Sequence, residues 1–126
     1  MRPRMSPSQF RRLVLQAVAS LPPPVRAALE NVDIVVRWRP TPWERRQAGV
    51  SPGEPLLGLY LGVPRHRRGT EYTLALPDRI VIYQEPHERL AHTREELVQQ
   101  LRTTILHEVG HYLGLEEERL SEMGLD

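Results

Sequence analysis

Apolar residues recur at helical spacing near the start of the chain: Phe10, Leu13, Val14, Ala17, Val18 and Leu21 fall on one stripe. Just before them, Ser6-Pro7-Ser8-Gln9 offers an N-cap, a proline at the first helical position and a glutamine placed to close a capping box. Pro22–Pro24 end this helix, and Val25–Glu30 add one short helical turn. The period then changes. Val32–Trp38 is a β-branched run and reads as a strand. Thr41–Pro55, rich in proline and glycine, reads as a loop. Leu56–Val63 is a second strand carrying Gly58 and Gly62, positions at which another segment can come close. Arg65–Gly69 is a basic turn, Tyr72–Leu76 a short strand, and Arg79–Tyr83 a strand after a Pro-Asp turn. Thr93 with Glu96 forms a second capping box. It opens a long helix through Leu97, Leu101, Ile105, Leu106, Val109 and Leu113. Helix, strands, helix implies an α+β domain, a mixed twisted sheet packed against two main helices.

The second helix carries the chemistry. Residues 107–111 read His-Glu-Val-Gly-His. His107 and His111, four apart on a helix, project from one face and can hold one metal ion. Glu108 lies beside them, placed to take a proton from a water on that metal without being a ligand. Gly114 follows three residues after His111, and Glu117 three after that, giving HExxHxxGxxE. A helix stop at Gly114 turns the chain back and lets Glu117 reach the ion as a third ligand. In an unbroken helix, Glu117 would point well away from the histidine face. Glu116 and Glu118 flank it, so the third ligand is one of three neighbouring carboxylates. Two histidines, one carboxylate and one water is the arrangement of a catalytic rather than a structural zinc site.

The run TILHEVGHYLGLEEERLSEMGLD resembles the small bacterial zincin-like metallopeptidase family, whose members carry HExxHxxGxxD. LPDRIVIYQEPHERLAHTREEL, LLGLYLGVP and the N-terminal amphipathic helix also resemble it, so the likeness covers nearly the whole chain. It implies a zincin-like fold with His107 and His111 as zinc ligands, Glu108 as general base and Glu117 at the third-ligand position. At that last position this chain has Glu where the family has Asp. The resemblance also implies peptide or protein substrates, bound by pairing with an edge strand of the sheet. Leu56–Val63 and Tyr72–Leu76 are the candidates for that edge.

Composition narrows the remaining choices. A chain of 126 residues makes about one domain, expected over residues 7–126 behind a disordered tail at 1–6. There is no cysteine, so any metal is held by histidine and carboxylate. No apolar run approaches the roughly 18 residues of a membrane span, and the N-terminus lacks the apolar core of a signal peptide. A cytoplasmic protein without a membrane partner is expected. All 17 basic residues are arginine and the net charge is +1. Arg65-His66-Arg67-Arg68 has no interleaved aromatic residue and reads as a solvated turn rather than a nucleic-acid patch. His66, His87 and His92 read as surface histidines, and Trp38 and Trp43 as packing anchors around the proline-rich loop.

Three functions compete. The first is a zinc peptidase. The second is a metal-dependent hydrolase acting on RNA, similar to a bacterial rRNA-processing family with H-x-x-x-H-x-x-G-x-x-H. That pattern has a third histidine where this chain has Glu117, and lacks an obligatory Glu after the first histidine. The third is a metal-binding or regulatory module that cleaves little. Zinc stoichiometry separates the first two from a metal-free module, and turnover of a peptide or phosphodiester separates them from each other.

Overall fold

The computed structural model describes residues 5–62 and 78–113. Helix α1 spans Pro7–Ala19, and its start is the capping box expected from sequence. Gln9 N–H donates to Ser6 Oγ at 3.1 Å, and Ser6 N–H donates to Gln9 Oε1 at 2.9 Å. Its buried face is Phe10, Leu13, Val14 and Ala17, while Leu15 on the other side is 50% exposed. Met5, assigned to the tail by sequence, is held by its backbone: its N–H donates to Glu88, and its carbonyl accepts from Gln84.

A short helix α2 (Pro23–Ala28) and a 3-10 turn lead into strand β1, Asp33–Arg37. The segment read as a loop over Thr41–Pro55 instead contains helix α3, Pro42–Ala48. Its cap repeats the logic of α1. Thr41 Oγ1 accepts from Glu44 N–H, the Glu44 carboxylate returns to Thr41 N–H, and proline opens the first turn. Gly49 ends it in the left-handed conformation at φ 70°. Strand β2 is Gly58–Leu61, shorter than the run 56–63 expected, and β3 is Arg79–Tyr83, as expected. The residues expected to form a turn at 65–69 and a strand at 72–76 lie outside the described ones.

Between β3 and the long helix lies an unexpected helix, α4, Gln84–Leu90. Pro86 sits in its first turn, where its missing N–H breaks no helical bond. The long helix α5, Arg94–Leu113, is where the pattern put it. Thr93 accepts from Glu96 N–H, but the Glu96 carboxylate reaches His92 N–H rather than Thr93 N–H. The box closes one residue early.

The three strands form a mixed sheet in the order β1-β3-β2, with β1 parallel and β2 antiparallel to β3. Central β3 is apolar on both faces, as a strand covered on both sides must be. Ile80 and Ile82 face α1 and α5, packing with Phe10, Leu13, Leu97, Leu101 and Ile105. Val81 and Tyr83 face the other way, with Leu56 and Leu59 and beside Ala48 of α3. Each such fully buried side chain contributes about 1.5–3 kcal/mol of transfer free energy. This core fixes α5 against the sheet. No helix of the described residues is long and apolar enough to cross a membrane.

Candidate metal centre

Helix α5 carries residues 107–111 over its last two turns. Its buried stripe, Leu97, Leu101, Ile105 and Val109, locks its rotation about its own axis. Thr104 and Glu108, one turn apart, then face β2, while His107 is half-buried and His111 exposed. The closeness of helix and strand depends on Gly58. A Cβ there would stand 2.7 Å from Thr104 Cγ2, 3.2 Å from Val81 O and 3.5 Å from Glu108 Cγ. What approaches this glycine, flagged in the sequence, is the motif helix itself.

Glu108 is 5% exposed and held from two sides. Tyr60 N–H donates to its Oε1 at 2.8 Å, and His111 Nδ1–H donates to the same oxygen at 3.1 Å. A neutral ring that donates through Nδ1 keeps its lone pair on Nε2, the tautomer that can ligate a metal through that nitrogen. The rings of His107 and His111 lie edge to face with centroids 4.5 Å apart. One ligand atom from each of His107, Glu108 and His111 lies within 4.8 Å of the others. The donor set fits zinc: imidazole nitrogens and carboxylate oxygen, with no competing thiolate. Gly114, Glu116, Glu117 and Glu118 lie outside the described residues.

Tyr60 is the residue that sequence reasoning undervalued. Its N–H holds Glu108, its hydroxyl donates to buried Asp78 at 2.8 Å, and its ring meets Tyr112 edge-on at 5.7 Å. The contact that matters most uses a backbone N–H, which no side-chain pattern reveals. Tyr83 is on the opposite face, fully buried, with its hydroxyl toward the Glu44 carboxylate. Burial and then the nearby Glu44 carboxylate push this phenol well above its ordinary range. Burial also raises Glu44, but the Thr41 N–H, the Tyr83 and Thr41 hydroxyls and the charge of Arg37 together hold it below the usual carboxylate value.

His87 corrects a sequence reading. Expected at the surface, it has no exposure, because α4 carries it inward beneath the motif helix. Nδ1–H donates to Tyr83 O at 2.7 Å, and Nε2 lies 2.9 Å from the Thr104 hydroxyl. Trp43 corrects another: expected as a packing anchor, it is 50% exposed on α3. Trp38 is half-buried, with the Arg39 guanidinium 5.9 Å from its ring centre. His92 is exposed, as expected; His66 is outside the described residues.

A mixed sheet laid over a helix that presents two histidines and an intervening glutamate is the architecture of a zincin. The sequence model of the zincin-like metallopeptidases matches residues 29–125, and the chain belongs to that family. Among solved structures, a conserved hypothetical protein from T. thermophilus is similar at 25% identity with a TM-score of 0.55. That match covers 96% of this chain and 100% of the other. No curated protein matches the chain.

Proposed function

We propose that this protein is a zinc-dependent peptidase in which Glu108 is the general base. The observation that carries the reading is the cluster on α5, where His107, Glu108 and His111 bring their ligand atoms within 4.8 Å of one another. In this reading His107 and His111 hold the ion, with Glu117, or its neighbour Glu116 or Glu118, as the third ligand. Bound zinc supplies Lewis acidity, which acidifies a water and polarises a peptide carbonyl.

Glu108 does the proton work. Oε1 is engaged by Tyr60 N–H and His111 Nδ1–H, which fixes the plane of the carboxylate. Oε2 is therefore the atom assigned to take the proton from the attacking water and return it to the leaving amine nitrogen. His111 presents Nε2 outward because its Nδ1 proton is committed to Glu108. Membership of the family supports peptides or proteins as the substrate class.

The test is zinc content and peptide turnover on one preparation, wild type beside Glu108→Gln. Loss of a general base costs about 10²–10⁴-fold in rate. One zinc per chain in both proteins, with turnover falling by that factor in the variant, is the expected result. A variant that keeps most of its activity refutes the base assignment. A wild type that takes up no zinc on reconstitution overturns the enzyme reading, and zinc uptake with phosphodiester but no peptide cleavage moves it to RNA.

A further inference from the structure

We propose that the protein pairs with a second copy of itself through β1, the two sheets joining edge to edge across a two-fold axis at Val35. Among the described residues β1 is hydrogen-bonded to β3 and lies at the side of the sheet away from β2. Asp33 N–H donates to Asp78 O at 3.0 Å, so Asp33, Val35 and Arg37 direct their main-chain groups toward β3. Those of Ile34 and Val36 then point to the outer edge. Arg11 reaching Ile34 O from outside, at 3.5 Å, agrees with that direction.

Among the described residues only the long Arg11–Ile34 O contact touches this edge. Three consecutive β-branched residues, Ile34, Val35 and Val36, are half-buried along it. Natural sheets usually protect such an edge with proline, lysine or a bulge, or cover it. Beside it a groove of about 500 Å³ runs between β1 and α1, lined by Arg11, Val14, Ile34 and Val36 and by the half-exposed Leu15.

The occupant is chosen by the strand's own sequence. Asp33-Ile34-Val35-Val36-Arg37 is complementary to itself when reversed. With two copies antiparallel and Val35 opposite the partner's Val35, Asp33 faces the partner's Arg37, and Ile34 faces the partner's Val36. The outward main-chain groups of Ile34 and Val36 then meet as hydrogen-bonded pairs. Val35 and the Asp33–Arg37 pairs fall at the non-hydrogen-bonded positions, where strands hold opposed side chains closest. Asp33 and Arg37 are both exposed, and each gains an opposite charge. A parallel arrangement in register sets Asp33 beside Asp33 and Arg37 beside Arg37, and is disfavoured. A peptide of one charge sign satisfies only one end of the strand. The two-fold axis, normal to the sheet, also keeps like faces together. Ile34 and Val36 of both copies form one apolar strip, with a Leu15 contributed from each α1. Such a pairing is closed, so it uses up the edge without propagating.

Sedimentation velocity on the full chain over a range of concentrations tests this. Wild type is expected to sediment as a dimer. Asp33→Arg and Arg37→Asp each place like charges at both ends of the joint and raise the dissociation constant by about tenfold or more. An equimolar mixture of the two variants restores opposite charges at both ends and is expected to return the dimer as a mixed pair. A wild type that stays monomeric at high micromolar concentration overturns the proposal. Single variants that dimerise as wild type does, or a mixture that stays dissociated, also overturn it. Arg37 lies near Glu44, so Arg37→Asp can fail to fold. Asp33→Arg with Val35→Lys, which sets two ammonium groups on the axis, then decides. Both dissociating supports the joint, and either one dimerising at wild-type strength refutes it.

Discussion

His87 is packed between Phe10, whose ring centre is 6.0 Å away, and Thr104 of the motif helix. Burial, which disfavours the charged ring, pushes its pKa down to about 4; the Tyr83 carbonyl opposes this only in part. The unfolded chain holds that proton up to about pH 6.5. His87 therefore contributes fully to stability above pH ~6.5, and the contribution is lost as the pH falls toward 4, on the order of 3 kcal/mol across the window. Urea titrations at pH 7.5 and 4.5 on wild type and His87→Gln check this: the variant's loss should be smaller by most of that amount. Equal losses in the two proteins would sink the idea. The hydrogen bonding explains why the ring is poised. Thr104 has one hydroxyl proton and two acceptors for it, His87 Nε2 and Gln100 O. A proton on His87 would relieve that competition, but only by burying a charge. None of this is legible in Pro86-His87-Glu88, where polar neighbours suggest the surface. His107, Glu108 and His111 were legible because metal chemistry itself dictates their spacing.

At the scale of elements, local signals worked where one process decided the outcome. Helices α1 and α5 combine a cap with a long apolar stripe, and β3 is an unbroken apolar run, so each was visible. Helix α3 had the same cap, Thr41 with Glu44 behind a proline, but it buries little beyond Glu44, and the surrounding glycines and prolines outweighed it. The β2–α5 contact shows what a lone glycine can mean. Gly58 sits in a strand, where alanine would ordinarily gain from a smaller entropy loss on folding. Here the added carbon meets Thr104 Cγ2 at 2.7 Å and a backbone carbonyl at 3.2 Å. Gly58→Ala is expected to destabilise by about 1–3 kcal/mol through overpacking. It should also lower turnover, since the helix it displaces carries Glu108. Denaturant midpoints read the first effect, and a neutral or stabilising substitution would show that the strand and helix are not pressed together.

Across the whole molecule, the motif spans the end of the helix that fills the core, so an ion bound there would be coupled to the fold. A ligand that binds the native state and not the unfolded one stabilises it by about 2.7 kcal/mol at a hundredfold excess over its dissociation constant. Zinc should accordingly raise the melting temperature of wild type. The shift should vanish in His107→Ala/His111→Ala, whose apo form should melt below the wild-type apo protein because buried Glu108 loses its bond from His111. A shift of equal size in that variant would place the zinc elsewhere. The order of elements and the family were readable from one chain because periodicity and a spaced motif are local. Strand order and register were not, because they depend on which distant residues meet. The tie between Tyr60 and Glu108 joins residues 48 apart in sequence.

The same tie interrupts the outer side of β2, the edge of the sheet among the described residues. A strand presents its outward donors as evenly spaced rungs, and on β2 these belong to Gly58 and Tyr60. The Tyr60 rung is already spent on Glu108. An extended chain laid along this edge would be gripped at Gly58 and left slack above the carboxylate. In the proposed peptidase, a peptide group there would lack that strand bond and sit directly over the general base.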